Sequence, residues 1–283
     1  MGPDVTETQL TRVEANILAV PSLGVRLLKA MPVPRALWKV VKRNPALPYL
    51  RTSLPGWEAI WAEDTGGYGD DRLRRSRAMQ KAALIRQLGV DESPGTRVLE
   101  VGSGIGSVSA AVASDLQNVC LLDWSMEALR RTPSELSGIR ADICSIPFAD
   151  ESFDILIAAC VVEHVAGRGR AIKEMVRVMA PDGKLFVIFS HRRSLAELFR
   201  PLHHLQGRYQ CGYMSATCLE EELPDYLNFG LCLEAFEYLP AMDDLSIAQR
   251  LDKLLSRHGH VWSRYVGVKF SKPARAHRER GQL

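Results

Sequence analysis

The sequence has no paired cysteine motif, no long apolar run and no low-complexity tract. Each absence removes a class of protein. Six cysteines (Cys120, Cys144, Cys160, Cys211, Cys218 and Cys232) are scattered over 283 residues without a C-x-x-C pair. Such spacing argues against both a disulfide frame and a zinc site, so reduced thiols and no metal centre are expected. The longest notable apolar run, Ile155 to Val162, is eight residues, well short of the roughly 20 a membrane helix needs. With no signal-peptide pattern apparent, a cytoplasmic protein is expected, at most peripheral to a membrane. No repeat period divides the chain. Disorder is excluded by a 46% apolar content and a net charge of only +3, from 36 Lys+Arg against 33 Asp+Glu.

Acidic residues are missing locally as well. Between Glu14 and Glu58 there is none, while Arg26, Lys29, Arg35, Lys39, Lys42, Arg43 and Arg51 alternate with Leu27, Leu28, Leu37, Trp38, Val40 and Val41. The first fifty residues carry 7 basic and 3 acidic side chains, whereas residues 98–190 carry 8 and 12. An acidic centre is thus flanked by basic ends. The basic stretch reads either as an ordinary solvated face or as a lid that meets an anionic partner. A membrane surface, a lipid or isoprenoid diphosphate and an acidic carrier protein are the candidate partners. Arg72, Arg74, Arg75, Arg77 and the basic tail from Lys272 to Arg280 offer a phosphate track for nucleic acid. The acids interleaved over residues 63–71 and the lack of an RNA-binding module argue against it.

Pro21, Pro32, Pro34 and Pro45 break the N-terminal stretch into short helices. Residues 45–71, with Pro48, Pro55, Gly66, Gly67 and Gly69, read as loop, and a helix capped by Asp70 or Asp71 runs to about Leu88. From Arg97 onward the pattern changes. Strands are expected at Arg97–Val101, Val119–Asp123, near Ile139–Arg140, at Phe153–Ala159 and at Lys184–Ser190 after a Pro181-Asp182-Gly183 turn. Helices follow Gly106, Ser125 and Gly167, so the alternation predicts βαβ units and a doubly wound, mostly parallel sheet. Beyond Ser190 a helix to about Leu205, a polar loop over 206–218, a helix at about Ser246–Arg257 and closing strands at Leu231–Tyr238 and Arg264–Phe270 are expected. The implied division is a helical cap over 1–95 and an α/β domain over 96–283, with 191–230 as a substrate-side insertion.

The chemistry sits after the first strand. Gly102-Ser103-Gly104-Ile105-Gly106 is a turn that lets a ligand approach backbone N–H groups closely. A phosphate loop would require Gly-Lys-Ser/Thr, and a dinucleotide fingerprint would require glycine where Ser107 stands. Glu100, two residues before the first glycine, would repel a pyrophosphate and suits a cation.

Val98 to Gly106 resembles the nucleoside-binding loop of class I S-adenosylmethionine-dependent methyltransferases. Further motifs extend that likeness: Asp123-Trp124, Ala141-Asp142-Ile143, Phe148 to Asp154, the Glu163-His164 pair and Arg177 to Gly183, in the family's order. They are similar to the small-molecule, type 11-like branch. The resemblance implies a Rossmann-like seven-stranded sheet and S-adenosylmethionine as cofactor. It implies that Glu100, Gly102, Ser103, Gly104 and Gly106 form the loop, that Asp123 takes the ribose hydroxyls and that Trp124 packs on adenine. Asp142 and the Ile143 backbone would read the adenine, with Cys160 lining the site. Asp182 departs from the family's usual glycine, which a tight turn tolerates.

The acceptor loop lacks the Asn/Asp-Pro-Pro-Tyr/Phe tetrad, which argues against adenine and glutamine nitrogens as acceptors. His164 and His191 are the candidate general bases, having the residue type that titrates near neutrality. Trp57, Trp61, Tyr68, Tyr209 and Tyr213 are candidate walls of the acceptor pocket. The expectation is therefore methylation of a hydroxyl or carbon on a small, lipid-like or natural-product acceptor. The alternatives are a tRNA or rRNA methyltransferase and a silent, methyltransferase-like scaffold.

Overall fold

Short runs rich in Val, Leu and Ile, apolar on both faces, become strands when both faces are covered. The computed structural model describes residues 54–62, 71–91, 93, 95–112, 118–191, 219–240 and 263–274. In it β1 (Arg97–Val101), β2 (Asn118–Asp123), β3 (Ser137–Arg140), β4 (Phe153–Ala159), β5 (Met179–Ser190), β6 (Cys232–Pro240) and β7 (Ser263–Ser271) form one sheet. Its order is β3-β2-β1-β4-β5-β7-β6. The first five strands run parallel, and β7 is antiparallel to both β5 and β6. The order reverses between β1 and β4, which opens a crevice at their carboxyl ends, where such sheets bind ligands.

Helices cover both faces. On one, α2 (Asp71–Gln87) buries Ala82, Leu84 and Ile85 against Val98, Leu121, Ile155, Phe186 and Ile188. On the other, α5 (Arg168–Val178) and α6 (Leu219–Asn228) bury Ile172, Met175, Leu223 and Tyr226 against Leu99, Leu156, Val187 and Val268. The shorter α3 (Ser107–Val112) and α4 (Met126–Leu129) follow β1 and β2. Among the described residues, no helix is long and apolar enough to cross a membrane.

Three elements differ from expectation. Residues 54–62, read as loop, form helix α1 (Leu54–Ala62). Pro55 stands in its first turn, where no backbone N–H is required, and Trp57 and Trp61 share a face one turn apart. Helix α6 was not anticipated; Pro224 lies inside it, and burial of Leu219, Leu223 and Tyr226 outweighs the cost of the proline. The Pro181-Asp182-Gly183 turn is a bulge within β5. There Asp182 has φ 61° and its N–H donates to the Lys272 carbonyl. Expectations for the N-terminal helices, residues 192–218 and the helix near 246–257 lie outside the described residues.

Candidate cofactor and acceptor site

The glycine loop is shaped by positive backbone angles: φ is 61° at Gly102, 56° at Gly104 and 72° at Gly106. At Gly104 a Cβ would fall 2.8 Å from the Trp61 ring, so backbone and indole meet there only because the side chain is absent. Glu100, just 1% exposed, ties β1 to α3 by accepting hydrogen bonds from the Ser109 N–H (3.0 Å) and from the Ser109 hydroxyl. Burial pushes its carboxyl up to about 7, against those hydrogen bonds and the opposing charge of Lys81.

Asp123 ends β2. Its Oδ2 accepts from the Gly104 N–H at 2.7 Å and its Oδ1 from the Ser125 N–H at 2.8 Å. Burial raises its pKa while the donated bonds lower it. The Trp124 N–H also donates to it, and a carboxylate has about four lone-pair sites, so some acceptor capacity remains. Asp142 organises the next loop by accepting from the Cys144 N–H at 2.8 Å. Cys160 holds a left-handed φ of 59° at the end of β4, and burial lifts its thiol to about 11, which makes it inert.

A cavity of about 260 Å³ lies over these strand ends. Glu100, Gly102, Ser103, Gly104, Asp123, Trp124, Asp142, Ile143 and Cys160 all line it, as do Trp57, Trp61 and His164. Gly106 does not; it serves the turn, because a Cβ there would meet Leu121 at 2.6 Å. The imidazole of His164, on the single 3-10 turn Val162–His164, packs edge-on against Trp57 at 5.4 Å. His191 is not among the lining residues. It is 2% exposed, its N–H donates to the Arg264 carbonyl, and its ring packs edge-on against Tyr238 on β6 at 5.2 Å. Tyr68, Tyr209 and Tyr213 lie outside the described residues.

Several lining or supporting residues carried no motif. Arg77, Lys81 and Tyr265 line the same cavity. Arg77 and Lys81 sit one turn apart on α2, and a lysine beside the buried Ala78 and Ala82 was the available signal. Glu58 fixes α1 in place: it accepts from the Ser125 hydroxyl (2.7 Å) and from the Met126 (3.0 Å) and Glu127 (2.9 Å) N–H groups, and it pairs with Arg140 at 3.6 Å.

Residues 99–187 match the methyltransferase domain family. The chain is 40% identical over 103 residues to demethylmenaquinone methyltransferase of Renibacterium salmoninarum, covering 35% of this chain and 43% of that protein. It is 27% identical over 201 residues to the chloroplastic tocopherol O-methyltransferase of Arabidopsis thaliana, covering 61% and 57%. A SAM-dependent methyltransferase from Thermotoga maritima shares the fold with a TM-score of 0.53 at 18% identity, over 70% of this chain and 91% of that one. The chain spans about half the length of the curated relatives it matches. Residues 99–187 are thus similar to methyltransferase domains, and they are carried on a seven-stranded, mostly parallel sheet of the Rossmann-like methyltransferase fold.

Proposed function

We propose that the protein methylates a hydroxyl or ring carbon of a small, flat, lipid-like acceptor of the phenol or quinol type, with S-adenosylmethionine as donor. One observation carries this reading. A single cavity runs from Asp123 and Asp142, by β2 and β3, to an aromatic end formed by Trp57, His164 and Tyr265 near β4 and β7. The residues present fit the donor. Asp123 would hold the ribose hydroxyls, Asp142 and the Ile143 backbone the adenine, and Trp124 its face. Three carboxyl-bearing residues in the lining suit a cationic ligand without phosphate. When bound, S-adenosylmethionine supplies a methyl group on a sulfonium, activated toward a nucleophile.

The remaining work falls to this chain. Trp57, Trp61 and Tyr265 exclude water and orient a flat ring. His164 accepts the proton of the acceptor hydroxyl. The names of the relatives, which act on demethylmenaquinone and tocopherol, support this acceptor class. The basic stretch from Arg26 to Arg51 supports acceptor delivery from an anionic surface.

Isothermal titration with S-adenosylhomocysteine tests the reading. The wild type binds, and Asp123→Ala weakens binding by about tenfold or more, the equivalent of about 1.4 kcal/mol. Naphthoquinols and chromanol phenols are methylated at the expense of S-adenosylmethionine, whereas amines are not. No binding by the wild type, or unchanged binding by Asp123→Ala, sinks the proposal.

A further inference from the structure

We infer that Lys81 is the cationic partner of the acceptor's ionised oxygen, so that the site selects acidic hydroxyls (phenols, naphthols and enols) and holds them as their conjugate bases. The inference rests on the methyltransferase reading above and adds how the acceptor is recognised.

The placement of Lys81 supports it. Strand order puts Asp123 and Asp142, the nucleoside-reading carboxyls, on the β2–β3 side of the crevice. Lys81 approaches from the other side. Its Nζ stands 5.5 Å from the centroid of the Tyr265 ring on β7, and its charge acts on the Cys160 thiol just after β4. It therefore lies in the half of the cavity lined by Cys160, Val161, His164 and Tyr265, where an acceptor would meet the donor. Among the described lining residues the permanent cations are Arg77 and Lys81, both from α2.

Ionisable groups from several elements surround Lys81. Facing it are Arg77 from its own helix, Glu100 from β1, Cys160 after β4, Glu163 and His164 from the 3-10 turn, and Tyr265 from β7. Burial drives the carboxyls of Glu100 and Glu163 up to about 7, and the charge of Lys81 opposes both shifts.

A phenolate in an aromatic-walled cavity would be an uncompensated buried charge, which is costly. An ammonium beside it removes that cost and stabilises the anion more strongly than water does. The O–H proton passes to His164, and the freed electron pair stays on oxygen or delocalises onto the ortho carbon. On oxygen, the methyl group takes the place of the proton now on His164; on carbon, the ring proton is lost to water and the oxygen regains its proton from His164; in both cases the electron pair of the broken methyl–sulfur bond would stay on the donor's sulfur, so atoms and charges balance. An amine acceptor gains nothing here, because its protonated form is repelled by Lys81.

The test reads ionisation rather than turnover. 4-Nitrophenol, whose phenolate absorbs in the visible, is titrated against pH in the presence of protein saturated with S-adenosylhomocysteine. Wild type lowers the apparent pKa of the bound phenol by about one unit or more, a tenfold gain in phenolate at fixed pH. Lys81→Met returns it to its value in water, and Lys81→Arg, which keeps the charge, retains part of the shift. Both variants bind S-adenosylhomocysteine like wild type, which also shows that they are folded. The inference is overturned if wild type binds no phenol, or if the phenol ionises identically in wild type and Lys81→Met. A loss of S-adenosylhomocysteine affinity in Lys81→Met without a change in phenol ionisation also overturns it, assigning the lysine to the donor's carboxylate. Failure of wild type to bind S-adenosylhomocysteine is a separate result, which removes the methyltransferase reading itself.

Discussion

At the scale of single residues, His164 stands on a one-turn helix with its ring against the edge of Trp57 and the cavity beside it. His191 follows β5, buried, with its ring against Tyr238. Both were legible as histidines after strands on the ligand-binding edge of the sheet. The difference between them was not, because it depends on which face each ring turns to, and β7 and β6 decide that for His191. His164→Ala is expected to lower kcat by about 10²–10⁴, the span of general-base catalysis, while S-adenosylhomocysteine affinity is kept. His191→Ala is expected instead to cost about 1–3 kcal/mol of stability, as a buried truncation does, and to leave turnover of the folded protein near wild type. Steady-state kinetics beside urea unfolding separates the two, and equal losses of kcat in both variants contradict the assignment. The same logic applies to Lys81: one lysine in a basic helix is unremarkable until α2 is docked and the face it presents is known.

At the scale of elements, β1 and β4 carry the bounds their sequences predict, because apolar runs closed by Gly102 and by Cys160 admit few alternatives. Helices α1 and α6 were hidden for a common reason: their stability comes from tertiary contacts, and their prolines advertise loops. Helix α1 is held by Glu58, which caps α4 from outside the local sequence, and by the Arg131 guanidinium donating to the Ala62 carbonyl. Burial works against the charge of Glu58. The bonds from Glu127, Ser125 and Met126 and the charge of Arg140 outweigh it and hold the carboxyl below its ordinary range. Because Trp57 and Trp61 line the cavity from this helix, loosening it should reach the ligand. Glu58→Ala is expected to lose about 1 kcal/mol, as lost helix caps do, and to weaken S-adenosylhomocysteine binding several-fold. Glu58→Gln, which can still accept hydrogen bonds, should fall between. Calorimetric titration of the three proteins checks the order, and unchanged affinity in Glu58→Ala would detach α1 from the site.

At the scale of the whole molecule, a central segment with more acids than bases becomes the floor of the cavity, and its carboxyls divide into two populations. Asp154 and Glu174 are held low, chiefly by their arginine partners Arg97 and Arg177, so their contributions are present above about pH 4 and lost as pH falls through their depressed values. Glu100 and Glu163 are lifted from 4.5 to about 7, chiefly by burial. Their sign is the reverse: the folded state holds these protons more tightly than the unfolded chain, so the stability they contribute is complete below 4.5 and disappears as pH rises to about 7. The two populations act in different windows, so a difference between variants isolates the second. Glu163→Gln keeps the shape of the protonated side chain and removes the titration. Its stability, measured by urea unfolding from pH 4.5 to 7.5, should decline less steeply with pH than that of wild type. The two curves should lie closest near pH 4.5 and diverge toward pH 7, with the variant the more stable at the upper end. Parallel curves across the window would mean that Glu163 is ionised within the fold, with Lys81 as its fully compensating partner. That outcome would also show that the lysine's charge is already spent on the protein, leaving less of it for an acceptor's oxygen.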